Sequence, residues 1–210
     1  MTLLGVAWVA AAYLVGTIPS ALIVARARGA TEVLRGASRK ASELDAHILL
    51  RRHAGAGWSA AAAAADVLKA LLFSLAARAA GLEPVWLAAV GVALVVGYCW
   101  PPYGRRMAGR GLAVAAGVYL ALVPLSMVVL GLLITGGAAL GATGLWSTVG
   151  LLSVPLTAAL LDGPGPLAAM SLVIMALILL RRLEGVGEIA ARGVPLGRAA
   201  WSRAVLDVTP

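Results

Sequence analysis

The sequence predicts an all-α polytopic membrane protein of about seven transmembrane helices, with five as the alternative, in one integral-membrane domain over residues 1–210. Three observations predict it. The chain is 61% hydrophobic and 12% charged, with mean hydropathy +0.96, whereas a soluble domain is roughly half apolar and about a quarter charged. Its apolar residues come in continuous runs, not in the alternating ~10-residue segments of a membrane β-barrel. Helices satisfy their own backbone hydrogen bonds in lipid, so such runs are read as helical spans. The basic residues, finally, collect in the gaps between the runs.

The first run extends from Leu3 to Val24. It has no basic n-region and is long for the h-region of a signal peptide, so it reads as a retained first helix. Further runs fall near 58–80 and 85–100. The stretch 112–180 is almost all apolar, interrupted by Pro124, Gly136-Gly137, Gly141, Pro155 and the turn Asp162-Gly163-Pro164-Gly165-Pro166. At ~20 residues per span it fits two long helices with re-entrant pieces, or four short ones. Four are favoured, at about 112–124, 125–142, 148–161 and 166–181, because the turn at 162–166 is a strong break.

Orientation follows from charge. The loop 26–56 carries seven basic residues against three acids, the 101–111 loop three more, and the tail from Arg181 five. On the seven-helix reading, 15 of the 17 basic residues share one side, and a five-helix reading keeps these loops on the same sides. The positive-inside rule then puts the N-terminus outside and the C-terminus inside. Arg78, near the opposite end of its helix, reads as a snorkelling anchor. No internal repeat of the transporter kind is visible. The single cysteine, Cys99, excludes an internal disulfide and reads as a small buried apolar residue. His47 and His53 lie in the basic loop with no cysteine or paired carboxylates beside them, so no metal or cofactor is expected. The lipid bilayer is the expected partner and nucleic acid is not.

The segment Trp100-Pro-Pro-Tyr-Gly-Arg-Arg-Met-Ala-Gly-Arg-Gly111 places three arginines and three glycines between two apolar runs, with no acidic residue. Positive-inside charge accounts for Arg105 and Arg106. Gly109, Arg110 and Gly111 stand where a helix begins near Leu112. Glycines let backbone N–H groups turn toward a ligand, a helix N-terminus adds partial positive charge, and an arginine fork matches a phosphate. The three make a candidate anion cradle. Asp66 and Lys69, spaced i, i+3 on the second long helix, can meet; a charged pair at that depth invites a functional reading.

These pieces resemble the bacterial acyl-phosphate-dependent glycerol-3-phosphate acyltransferase family. Tyr13-Leu14-Val15-Gly16-Thr17-Ile18-Pro19 is similar to the family's Tyr-Leu-x-Gly-Ser-Ile-Pro, and Asp66-Val67-Leu68-Lys69 to its Asp-[Ile/Val]-x-Lys. Gly97-Tyr98-Cys99-Trp100-Pro101-Pro102-Tyr103 and Gly109-Arg110-Gly111-Leu112-Ala113 match, without gaps, Gly-His-x-Phe-Pro-x-Phe and the end of Gly-Gly-Lys-Gly-Val-Ala. The family's Gly-Ser-Gly-Asn-x-Gly-Ala-Thr-Asn-x-x-Arg falls on 41–52, where Ser42 and Arg52 are kept but leucines 44 and 49 replace the asparagines. Tyr98 replaces a histidine. In the family's Arg-His-x-x-Asn-Ile, this chain keeps Arg181 but has Arg182 for the histidine and Gly185 for the asparagine.

The resemblance implies transfer of an acyl group from acyl phosphate to the 1-hydroxyl of glycerol 3-phosphate, giving lysophosphatidic acid for phospholipid synthesis at the cytoplasmic face of a bacterial plasma membrane. It implies Ser42, Arg52 and Arg110 as catalytic residues, and Gly109, Gly111, Lys69, Asp66, Ser147 and Arg181 as substrate- or phosphate-binding ones. Charges that grip phosphate survive in this chain, whereas neutral hydrogen-bonding groups are largely replaced. The alternative is therefore a catalytically degenerate member that binds lipid phosphates or a membrane partner. A small transporter has only Asp66 and Lys69 to offer as a charged pathway.

Overall fold

The computed structural model describes residues 2–29, 31, 46–102 and 109–206. Eleven helices and no strand occur among the described residues. The chain opens with α1 (Thr2–Gly16) and α2 (Ser20–Ala27), then passes through α3 (Ala46–Ala54), α4 (Ala56–Ala79) and α5 (Pro84–Cys99). It continues with α6 (Leu112–Leu122), α7 (Pro124–Ala139), α8 (Thr143–Leu161) and α9 (Pro166–Leu183), and ends in two short helices, α10 (Val186–Ala190) and α11 (Leu196–Ala204). Four stretches are long and apolar enough to cross a membrane: Thr2–Ala27, Ala56–Ala79, Gly144–Leu161 and Pro166–Ala190. Helices α5, α6 and α7 are apolar but shorter.

Prolines set many of these limits. Pro84, Pro124 and Pro166 each open a helix, where the missing N–H costs nothing. Pro155, by contrast, is carried inside α8, which starts at Thr143 rather than near 148. The expected single first helix is broken at Thr17-Ile18-Pro19. A proline ring clashes with the carbonyl one turn back and donates no hydrogen bond, so the ladder stops and the Ile18 carbonyl is released toward a side chain. Helices α3, α10 and α11, which the sequence reading left as loop and tail, are new.

Small residues decide the packing. Apolar burial gives helices little reason to associate in lipid, so close backbone approach at Gly and Ala takes its place. The buried face of α4 is Ala62, Asp66, Ala70, Ser74 and Ala77. Helix α1 lies parallel to α5: Gly5 abuts Trp86, Gly16 the Leu94 carbonyl, and Gly97 the Tyr13 carbonyl. Gly117 seats α6 on the backbone of α4 at Val67, and Gly137 and Gly150 seat α7 antiparallel to α8 against Trp146 and Leu130. Helix α9 packs on α5 and α8. Outward-facing leucines such as Leu72, Leu132, Leu160 and Leu172 are exposed.

These pairings sort the loops. The N-terminal end of α1 shares one end of the bundle with the α4–α5 and α8–α9 turns. The α1–α2 break, the start of α4, the 99–112 connection and the tail share the other, which carries most of the basic residues. Arg78 lies exposed toward the first end. Its Nη1 donates to the Ala121 carbonyl at 3.2 Å, so it caps the C-terminal turn of α6, where a cation offsets the helix dipole.

A glycine that must admit a neighbouring backbone differs from one with open space. Gly117→Ala is expected to lower stability by about 1–3 kcal/mol, as overpacking does, because its Cβ would collide with the Val67 carbonyl. Gly131→Ala on α7, where a Cβ would meet nothing within 4 Å, should leave stability unchanged or raise it slightly. Thermal unfolding of both variants in detergent checks the contrast.

Candidate active site

Two polar clusters meet at the basic end of the bundle. The first is built on Asp66, whose side chain is fully buried on α4. Lys69, one turn further along, reaches Asp66 Oδ1 at 2.6 Å. The ammonium also donates to the freed Ile18 carbonyl at 2.6 Å and lies 3.5 Å from the Ser20 hydroxyl. The helix break thus gives Lys69 a second acceptor at the start of α2. His47 approaches the same carboxylate from α3, its Nε2 3.1 Å from Asp66 Oδ2 and 3.1 Å from the Tyr98 hydroxyl. Ser59 fixes the start of α3 by donating to the His47 carbonyl at 2.9 Å. The Lys69 ammonium sits 5.0 Å from the centre of the Tyr98 ring, within cation–π range.

The second cluster surrounds the glycine turn. Gly111 has φ 87° and forms the N-cap of α6; a Cβ there would stand 2.8 Å from the Cys99 sulfur. Both the left-handed backbone and the space demand glycine. Gly109 is buried, and a Cβ on it would stand 2.5 Å from the Tyr98 hydroxyl oxygen. Its carbonyl accepts from Arg181 Nε at 3.4 Å. Arg181, buried near the end of α9, also pairs with Glu184. The Glu184 carboxylate accepts from the Trp100 indole at 2.9 Å. Arg110 is half-buried between the two glycines. Tyr98 links the clusters, touching His47 and Lys69 on one side and the Gly109 backbone on the other.

The structure therefore brings Asp66 and Lys69 together, as their i, i+3 spacing leads one to expect, and it brings Arg181 to the backbone of the glycine turn at Gly109. Ser147 stands elsewhere: its hydroxyl accepts from Arg182 Nη2 at 3.3 Å, in a buried knot with Thr148 and the Ala204 carbonyl. Arg203 joins that knot by donating to the carbonyls of Arg182 and Glu184, and so fastens α11 to the end of α9. Arg52 is exposed on α3. Ser42 and Leu44, with Arg105 and Arg106, lie outside the described residues. Leu49 packs against the small apolar cluster of Ala21, Leu22, Ala25 and Leu50. Gly185 has φ 85°, a conformation that asparagine also tolerates; glycine keeps the turn and removes the amide.

Sequence reasoning missed His47, Glu184 and the second role of the Thr-Ile-Pro break. From the sequence His47 stands out only as a possible metal ligand. Its spacing from Asp66 carries no signal, because the pair is made by the packing of α3 on α4 and not by a periodicity. No group of three or more metal-ligating side chains occurs among the described residues.

An apolar groove of about 890 Å³ leads to this end of the bundle between α1, α5 and α9. Val9, Val92, Val96, Met170 and Val173 line it. Tyr13 lies at its basic end, and the tyrosine hydroxyl donates to the Trp100 carbonyl at 3.1 Å. An apolar groove between the helices, in a bundle with cationic groups and a glycine turn at one end, suits an anion that carries a hydrocarbon tail.

The family model for glycerol-3-phosphate acyltransferase matches residues 6–192. A glycerol-3-phosphate acyltransferase of Geobacter sulfurreducens is 32% identical over 178 residues, which cover 84% of this chain and 89% of that protein. One from Geobacter metallireducens is 30% identical over 183 residues, 87% of this chain and 92% of that protein. The crystal structure of PlsY (YgiH), an integral membrane glycerol 3-phosphate acyltransferase in its glycerol 3-phosphate form, superimposes with a TM-score of 0.74 at 25% identity, covering 90% of this chain and 92% of that one. This chain, with its glycine turn, buried Asp66–Lys69 pair and apolar helices, belongs to the glycerol-3-phosphate acyltransferase family.

Proposed function

We propose that this protein transfers an acyl group from acyl phosphate to the 1-hydroxyl of glycerol 3-phosphate, releasing lysophosphatidic acid and inorganic phosphate, at the cytoplasmic face of a bacterial plasma membrane. The observation that carries the reading is the Gly109–Gly111 turn, braced by Arg181 at the basic end of the bundle; an apolar groove between α1, α5 and α9, lined as far as Tyr13 and Val96 toward that end, supports it. The relatives' names and the glycerol 3-phosphate form of the similar crystal structure support the acceptor. The acyl chain lies in the groove, and the glycine turn holds a substrate phosphate.

In the reaction the acceptor oxygen bonds to the acyl carbon, and a tetrahedral oxyanion forms. Donors already aimed at that oxygen stabilise it, and here Arg110 and the backbone at the head of α6 are the candidates. Collapse breaks the carbon–oxygen bond to phosphate, which leaves without needing a strong acid. The hydroxyl proton passes to a phosphate monoester oxygen, whose second pKa of ~6 suits the task. Lys69, Ser42 and Arg52 complete the phosphate site. Seven spans, with the N-terminus outside and the C-terminus inside, put this site on the cytoplasmic side. A second reading is a member that binds lipid phosphates without turnover; the packing of Leu49 into an apolar cluster, where the family has asparagine, favours it.

Purified protein in lipid, given radiolabelled glycerol 3-phosphate with acyl phosphate or with acyl-CoA, separates these readings. Lysophosphatidic acid above the no-protein background with acyl phosphate alone is expected. Phosphate binding without product supports the binding-only member. Within the active protein, Arg110→Ala should lower kcat/KM about thirty-fold or more, since losing one partner of a desolvated charge contact costs roughly 2–5 kcal/mol. Arg110→Lys should keep part of the activity, because a cation remains. Arg51→Ala, exposed on α3, should change little.

Topology is tested separately. In a Cys99→Ser background, a cysteine at exposed Asp162 should react with an impermeant reagent in intact cells, and one at exposed Arg198 should not. The reverse pattern overturns the orientation.

A further inference from the structure

Position 98, where the family carries histidine, is Tyr98 in this chain. Counting along the family motif on 41–52 puts alanine at position 47, where this chain carries His47. The imidazole missing from α5 thus returns from another helix, with Nε2 3.1 Å from the Tyr98 hydroxyl. We propose that His47 substitutes for the histidine absent at position 98: acting through the Tyr98 hydroxyl, it positions the phosphate of the glycerol 3-phosphate held at the Gly109 turn.

The placement of His47 is over-determined. Nε2 stands 3.1 Å from both Asp66 Oδ2 and the Tyr98 hydroxyl, and because a carboxylate only accepts hydrogen bonds, a hydrogen bond to Asp66 requires the hydrogen on Nε2. Asp66 is itself held by Lys69 at 2.6 Å, and Lys69 by the Ile18 carbonyl. His53 gives the contrast on the same helix. It is exposed, and its Nδ1 meets only the Leu49 carbonyl of its own helix among the bonds described.

Two further observations point from this pair to the ligand site. Lys69 already balances the Asp66 charge, so charge neutrality does not require His47; what His47 adds is a connection from α3 to α5. Gly109, unlike Gly111, does not have a positive φ, so its lack of a side chain serves space, not backbone conformation. The Tyr98 hydroxyl fills that space. The His47 side chain also remains 19% exposed, so the pair lies within reach of a ligand entering at the basic end.

This proposal rests on glycerol 3-phosphate being the acceptor, and its test keeps the two apart. Parent, His47→Gln, Tyr98→His and the double variant are compared in lipid nanodiscs by steady-state kinetics and by calorimetric binding of glycerol 3-phosphate without acyl donor. His47→Gln in the parent should raise KM and Kd for glycerol 3-phosphate about tenfold, or ~1.4 kcal/mol, with kcat changed less than about threefold. In the Tyr98→His background, where position 98 has its own imidazole, the same substitution should change KM and Kd less than about threefold, the signature of coupled sites. His53→Gln should match the parent. Equal factors in both backgrounds, or no effect in the parent, overturn the exchange. So does a loss of thermal stability in His47→Gln with KM and Kd unmoved, which would make His47 a structural residue. A parent that binds glycerol 3-phosphate but forms no product sinks the transferase reading and leaves the exchange to be decided by Kd. A parent that neither binds nor turns over overturns both.

Discussion

The site depends on one buried carboxylate. Asp66 sits in the small-residue face of α4, fully out of solvent, where an isolated charge would cost several kcal/mol. It is kept there by Lys69 on its own helix and by His47 from α3. Each partner brings a different segment with it. Lys69 ties in the α1–α2 break through the Ile18 carbonyl, and His47 ties in Tyr98 and, through it, the backbone at Gly109. A single negative charge therefore fixes α3, the start of α2 and the basic end of α5 relative to one another. Arg181 then fixes the far side of the glycine turn from α9.

The fold makes this arrangement affordable by using little side-chain volume at its helix crossings. Gly16, Gly97 and Gly117 let α1, α5, α4 and α6 approach backbone to backbone, which holds the polar end in register without large interdigitating side chains. Bulk is placed instead on the lipid-facing surface. The groove and the cationic turn are thus separate products of one packing scheme: α1, α5 and α9 leave space between them, while α4 and α6 close tightly.

Much of the fold was legible because its signals are local. Continuous apolar runs give the helices α4 to α9 within a few residues, and Pro84, Pro124 and Pro166 mark their starts. The family membership was legible because Gly97 to Ala113 keeps its spacing unbroken. The break at Thr17-Ile18-Pro19 was readable from Pro19 yet was absorbed into one apolar run, since hydropathy is blind to backbone donors. The site was legible where chemistry and spacing coincide, as for Asp66 with Lys69 and for the glycine turn. It was not legible where packing alone makes the pair. His47 meets Asp66 only once α3 lies on α4, and Arg182 meets Ser147 only once α8 lies on α9. The bond from Arg78 to the Ala121 carbonyl likewise depends on where α6 ends.

The central claim is that Asp66 serves as the shared counter-charge at the basic end, and stability of paired variants tests it most directly. Removing one partner of a buried ion pair costs roughly 3–5 kcal/mol, whereas replacing both with apolar residues of similar volume is often neutral. Thermal unfolding in detergent of Asp66→Leu, Lys69→Met and the double variant should show two strongly destabilised single variants and a double variant more stable than either. A double variant whose loss equals the sum of the two single losses would contradict the account, because Asp66 and Lys69 would then be acting independently.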